Sequence, residues 1–303
     1  VSIRWIEGKM NQYLNKLLST TDEDYVIASD TDSIYLNLGP LVDKFFANKS
    51  SDKAKVVELL DMVCRDKLEP YIDKCYNDLA TYVSAYDQKM QMKRENIADR
   101  GIWTAKKRYI LNVWNSEGVQ YSEPKLKMMG IEAVKSSTPA PCRKMIKDAL
   151  KLMMSGTEEE VIDFIDKSRA EFKSLPPEQI SFPRSVSDVV KYKSSSSIYI
   201  KGTPIHCRGA LLFNHYIKKN KLDNKYSLIK NGEKIKFCYL KKPNPMHENV
   251  ISFIQDFPKE LDIDKYIDYD LQFEKSFVEP LKAILDAIGW NVEKTVNLEL
   301  FFS

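Results

Sequence analysis

An α+β fold is what this sequence predicts, on three observations. Apolar residues recur at helical spacing in the opening segment and through much of the second half. Between those stretches β-branched and aromatic residues alternate, most plainly from Met90 to Lys127. The 303 residues, 43% apolar and 29% charged, suffice for two ordinary domains with a core in each.

The elements follow in order. Ile3, Ile6, Met10, Leu14 and Leu17 define an amphipathic helix, ended by a turn at Ser19 to Asp24. DYVIASDTDSIYLNL reads as a hairpin, with β-rich runs Tyr25 to Ala28 and Ile34 to Leu38 meeting at the acidic turn Ser29 to Ser33. Two helical patterns fill 53 to 86 and are expected to break at Pro70, since proline cannot donate to the helix ladder. Strands then run from Met90 to Lys127, with a turn at Glu117-Gly118. At Ser136-Ser137-Thr138-Pro139 hydroxyls are placed to cap a helix running to Gly156. Thr157-Glu158-Glu159-Glu160 is a capping-box pattern for a second helix that stops before Pro176-Pro177. A helix at Gly209 to Lys219, a hairpin around Asn231-Gly232 and a last helix from Tyr269 to Ile288, kinked at Pro280 and stopped by Gly289, complete the chain. The second domain is therefore mostly helical with a small β insertion.

Composition excludes several classes. No window approaches about 18 consecutive apolar residues, so no membrane partner or signal segment is expected. Cys64, Cys75, Cys142, Cys207 and Cys238 form no C-x-x-C pair and suit reduced thiols in a cytosol. The net charge of +3 hides an asymmetry: 13 Lys and Arg against 5 Asp and Glu from Lys89 to Lys147, and 11 against 2 from Lys201 to Lys242. Residues 255 to 303 reverse it, 5 against 11. Basic stretches broken by Tyr, Trp and Phe suit a surface that follows phosphates, although a solvated basic face has the same composition.

Asp30 and Asp32, one residue apart at the mouth of a hairpin, are expected to lean to the same face of an extended segment. Two carboxylates that close repel unless a cation lies between them, and Mg²⁺ prefers such oxygen ligands. The bland alternative is an Asp-rich turn whose side chains bond their own backbone.

ASDTDSIY resembles the D-T-D-S hairpin of family B DNA polymerases, and the chain as a whole is similar to the C-terminal part of the polymerases of T-even-type bacteriophages. KKRYILNVW, EPKLKMMGIE, KSSTP, HCRG and the apolar end NLELFFS carry the likeness in the family's order. It implies a C-terminal palm portion over 1–129, an antiparallel sheet with helices, then a thumb over 130–295 and a clamp-binding peptide over 296–303. Asp32 would then be the firm ligand of two catalytic Mg²⁺ ions, with Asp30 beside it and Glu95, in MKREN, near the metals. Lys106, Lys107, Arg108 and Tyr109 match the family's K-K-R-Y strand along the primer-template, where cations can hold phosphates without reading sequence. Lys127, Lys135, His206 and Arg208 would meet phosphates of the new duplex, and Leu298, Leu300, Phe301 and Phe302 a pocket of a sliding clamp.

The implied activity is template-directed transfer of a nucleotide from a dNTP to a primer 3′-hydroxyl, in the cytoplasm of an infected bacterial host. Ser29 stands where the family usually has Gly, and a loop expected at Asp99 to Ile102 is shorter than in the phage relatives. The chain offers no candidate for the family's other carboxylate strand, fingers helix or exonuclease acidic sites, which are expected to belong to a part preceding Val1. An N-terminal polymerase polypeptide bearing exonuclease, fingers and the rest of the palm is therefore the expected partner, and the isolated chain is expected to be inactive. Two rivals remain: a non-catalytic DNA-binding module that tethers a clamp to duplex, and a self-contained palm-type nucleotidyltransferase or cyclase.

Overall fold

An apolar stripe along one face of the opening helix begins the first of two units, Val1–Lys127 and Met128–Ser303. The computed structural model describes residues 1–46, 52–194 and 196–293. Helix α1 (Ser2–Leu18) buries Ile6, Met10 and Leu14 and ends where Ser19 turns left-handed at φ 61°. Its own side chains hold the segment that follows. Asn11 Oδ1 accepts from the backbone N–H groups of Tyr25 and Val26, and Asn15 Nδ2 donates to the Glu23 carbonyl. Strands β1 (Val26–Asp30) and β2 (Ser33–Leu36) pair antiparallel with Asp30 opposite Ser33, which leaves Thr31 and Asp32 as the turn. A short helix α2 (Gly39–Phe45), with Pro40 in its first turn, was not foreseen from the apolar pattern.

The expected break at Pro70 does not occur. Helices α3 (Lys53–Val63) and α4 (Glu69–Tyr82) are continuous through a widened turn, Cys64–Leu68, in which the Glu69 N–H reaches back five residues to the Cys64 carbonyl. Widening the turn keeps the carbonyls of the preceding turn clear of the proline ring, so the missing donor does not end the helix. One apolar cluster joins Ile6, Met10 and Leu14 of α1 to Val26 of β1 and to Leu68, Ile72 and Cys75 along this helix.

Strands β3 (Asn96–Ala105), β4 (Arg108–Ser116) and β5 (Val119–Met129) form a three-stranded antiparallel sheet in that order. Two expectations are corrected here. Asp99 to Ile102 is no loop, because Arg100, Gly101 and Ile102 lie in the ladder opposite Asn112, Leu111 and Ile110. K-K-R-Y is not a continuous strand either: Lys106 and Lys107 are the hairpin turn, Lys107 at φ 60°, and only Arg108 and Tyr109 belong to β4. The turn at Glu117-Gly118 has positive φ at both residues, 50° and 87°, the twist that matches a two-residue hairpin.

The second unit opens with α5 (Ala140–Ser155), whose N-cap is Pro139 and which no side-chain hydroxyl caps. Thr138 is buried instead, and the Ser137 carbonyl accepts from Arg184 Nη1 at 2.7 Å. Helix α6 (Glu158–Lys173) carries the expected capping box: the Glu160 N–H donates to Thr157 Oγ1, and the Thr157 N–H donates to Glu160 Oε2. After α7 (Pro177–Ile180) and β6 (Phe182–Ser185) comes α8 (Ile205–Lys219), one turn longer at its start than the apolar pattern suggests. Gly209 on α8 lies against β8 so closely that a Cβ there would come within 2.3 Å of Ser252 Oγ and 2.9 Å of its backbone N.

The hairpin expected around Asn231-Gly232 is absent. Strand β7 (Lys234–Tyr239) pairs with β6 on one side and β8 (Val250–Phe253) on the other. The run before Asn231 is no strand because Asn214 captures it: Asn214 Nδ2 donates to the Ile229 carbonyl and Asn214 Oδ1 accepts from the Ile229 N–H, both at 2.8 Å. The last helix again passes its proline through a widened turn, α9 (Tyr269–Phe273), Glu274–Val278, then α10 (Glu279–Leu285), and the segment closes at Gly289 with φ 74°. Among the described residues no helix is long and apolar enough to cross a membrane.

Candidate active site

Asp30 closes β1, and its carboxylate is shaped by the turn it starts. Its Oδ1 accepts from the Thr31 N–H at 2.9 Å and from Thr31 Oγ1 at 3.1 Å, while Oδ2 faces Lys107 Nζ at 4.0 Å. The Thr31 N–H, its hydroxyl and the charges of Lys107 and Lys106 hold this carboxyl below the usual carboxylate range. Asp32 is the exposed second residue of the turn, so the alternation of an extended strand does not apply to it. The extended spacing on which the expected common face rests is therefore absent: Asp30 sits on a strand end and Asp32 in a turn. Asp32's charge acts on Tyr76, a buried residue of α4 whose hydroxyl is pushed up chiefly by burial.

Three aromatic residues bring the acidic hairpin to the basic one. Tyr35 of β2 meets the edge of Trp103 on β3 at 5.3 Å and of Tyr109 on β4 at 5.5 Å between ring centres. Trp103 and Tyr109 are cross-strand partners, 6.3 Å apart. Gly101 makes the Trp103 position open, since a Cβ there would come within 2.7 Å of the indole ring. Burial and hydrogen bonding with Tyr109 push the Tyr35 hydroxyl up, so it stays a neutral donor. None of the three was read as a fastener from the sequence, where they are only alternating β-formers.

Glu95 precedes β3 and is largely exposed, with Lys127 Nζ of β5 at 3.3 Å from its Oε2. Its neighbour Arg94, passed over in the sequence, fixes the segment. The Arg94 guanidinium forms an ion pair with Asp61 of α3 and donates to Asn115 Oδ1 at 2.7 Å, and its N–H donates to Glu69 Oε1 at 2.9 Å. Only its place between two helical patterns and a strand pattern could have signalled that role.

The remaining residues singled out lie in the second unit. Lys135 donates to Glu132 Oε1 at 2.8 Å. His206, in the first turn of α8, is half-buried with its ring 6.5 Å from that of Phe237, and burial together with the Arg184 charge favours its uncharged form. Arg208 donates to Asn249 Oδ1 at 2.6 Å and lies 5.6 Å over the Tyr199 ring, whose hydroxyl donates to Glu248. Leu298, Leu300, Phe301 and Phe302 lie outside the described residues.

Among the described residues no three His, Cys, Asp or Glu side chains gather closely enough to hold a metal ion. The donor chemistry nonetheless fits Mg²⁺, which binds commonly through one or two carboxylates, waters and substrate phosphates rather than an all-protein cage. Asp30 Oδ2 and the exposed Asp32 carboxylate are oxygen donors of that kind.

No family model matches the chain. Along its whole length it is similar to two curated proteins. It is 35% identical to the DNA-directed DNA polymerase of Escherichia phage RB69, over 98% of this chain, and 31% identical to that of Enterobacteria phage T4, over 100% of it. The chain spans about a third of each relative's length, 34% in both cases, which is consistent with the C-terminal part of a family B polymerase.

Proposed function

We propose, from this chain's kinship with the DNA polymerases of the T-even-type phages, that it carries the acidic hairpin and the duplex-holding surface of a DNA-directed DNA polymerase. The observation that supports this most is the fastening of D-T-D-S to the Lys106-Lys107 hairpin through Tyr35, Trp103 and Tyr109. It sets a carboxylate meant for a cation beside lysines meant for phosphates.

In this reading residues 1–129 are palm, 130–295 thumb and 296–303 a clamp-binding peptide. Asp32 and Asp30 hold Mg²⁺, with Glu95 nearby. When bound there, two such ions would supply charge neutralisation at the triphosphate and would acidify the primer 3′-hydroxyl. The chain's own part is positioning. Asp30, its carboxyl held ionised by Thr31, offers Oδ2 to the site. Lys106, Lys107, Arg108 and Tyr109 hold the primer-template by backbone and minor-groove contacts that do not depend on base identity. Lys127, Lys135, His206 and Arg208 lie along the product duplex, His206 as a neutral hydrogen-bonding group rather than a cation. An N-terminal polypeptide supplies exonuclease, fingers and the other palm carboxylate, and the work is done in the cytoplasm of an infected bacterium.

The test is primer extension by this chain together with that polypeptide. Asp32→Ala is expected to lower Mg²⁺-dependent extension by about 10³-fold or more while duplex binding is kept, the scale of losing a directly engaged charged group. Unchanged extension would favour the tether that only links duplex to a clamp.

A further inference from the structure

Two of the lysine–carboxylate pairs in the first unit each join a group proposed for DNA to a group proposed for the divalent cation. Lys107 Nζ is 4.0 Å from Asp30 Oδ2, and Lys127 Nζ is 3.3 Å from Glu95 Oε2. Resting on the polymerase reading above, we infer that these lysines couple duplex binding to divalent-cation binding, because an ammonium drawn towards a phosphate no longer neutralises the site carboxylate it faces.

The contest at Asp30 is over one oxygen. Oδ1 is already taken twice by Thr31, so Oδ2 is what Lys107 and an incoming cation share. With neither ligand present the lysines neutralise the carboxylates, and their positive charge opposes a cation. Phosphates that draw Lys107 and Lys127 away remove that opposition. The exchange is cheap, because the Lys107 side chain is 65% exposed and both are surface pairs. Lys107 lies in the hairpin turn, outside the strand ladder, so a change of partner need not disturb a ladder hydrogen bond.

Coupling of this kind is reciprocal. Divalent cations ordinarily weaken protein–DNA association by competing at phosphates. Here the sign is opposite: at fixed ionic strength Mn²⁺ should tighten duplex binding, and duplex should tighten Mn²⁺ binding, by about fivefold, near the low end for coupled sites.

The experiment titrates the full chain with Mn²⁺ by electron paramagnetic resonance, with and without a short duplex, and reads the reverse effect from the anisotropy of labelled duplex. The wild type is expected to show the mutual gain. Lys107→Asn, which suits a left-handed backbone, combined with Lys127→Gln should bind Mn²⁺ more tightly without DNA and lose the gain. Lys107→Arg with Lys127→Arg should keep it. Equal Mn²⁺ affinity with and without duplex, no Mn²⁺ binding at all, or a gain undiminished in the Asn/Gln variant would overturn the coupling. The polymerase reading is judged separately, by Asp32→Ala in extension, and stands if that loss is seen without any coupling.

Discussion

The two units use their aromatic residues in opposite ways. In the second, Phe172, Phe213, Phe253, Phe257, Phe273 and Phe277 are all fully buried. In the first, the largest fully buried side chains are aliphatic or Met, among them Ile6, Met10, Leu14, Leu41 and Ile110. Tyr25 and Tyr76 are buried there too, but several rings sit half-exposed in contact with one another, as in Tyr13 on Tyr71 at 4.3 Å and in the Tyr35, Trp103 and Tyr109 group. A buried ring stabilises mainly through the area it removes from water, whereas rings meeting edge to face add little area and much geometry. The second unit thus builds rigidity from packing. The first uses rings to fix where two charged hairpins meet.

Phe273→Ala should show the largest effect. Phe273 packs on Phe172 at 5.2 Å and on Phe277 at 4.9 Å, and its loss is expected to destabilise the second unit by about 4 kcal/mol, read from urea unfolding. A cost as small as a surface substitution would erase the contrast between the units. Tyr35→Leu sharpens it from the other side. It should cost about 1 kcal/mol, the scale of an aromatic pair, yet raise the titration of the Asp30 carboxyl in NMR, because Lys107 and Lys106 are no longer held over it. An unmoved Asp30 would mean that the rings do not set the hairpins' approach.

The smallest effect is a matter of pH. Glu260, bonded by Lys225 and by the Tyr226 hydroxyl, has its carboxyl lowered from 4.5 to about 2. A depressed acid contributes stability above its unfolded pKa and loses it as pH falls through its folded one. The wild type should therefore melt higher than Glu260→Gln near neutral pH. The difference should shrink between about pH 4.5 and pH 2 and vanish below. A constant difference across that window would assign the effect to shape rather than charge.

Much of the fold was legible where the signal is local. The capping box at Thr157, the opening helix, the D-T-D-S hairpin and the Gly289 stop are each written in one short contiguous stretch. The misread hairpin at Asn231-Gly232 has a distant cause, a remote partner overriding a local rule. Asn214 takes the backbone of Ile229 that a hairpin at Asn231-Gly232 would need, and β6 arrives from far upstream to pair β7 instead. At the candidate site the charged residues could be named from type and order. The rings that bring them together could not, since a Tyr or Trp in an alternating strand is the same letter whether it faces solvent, a core or another hairpin.

Both long helices that contain a Glu-Pro step, at Glu69-Pro70 and Glu279-Pro280, pass it through a turn closed from five residues back. Such a turn holds one residue more than the ladder around it requires. Inserting a residue into a regular helix would swing everything after it by about 100°, enough to turn an apolar face to water. A surplus confined to one widened turn avoids that rotation, so each Glu-Pro step is a place where chain length can change by one while Ile72, Cys75, Tyr76 and Leu79, or Leu281, Ile284 and Leu285, keep their seats in the core.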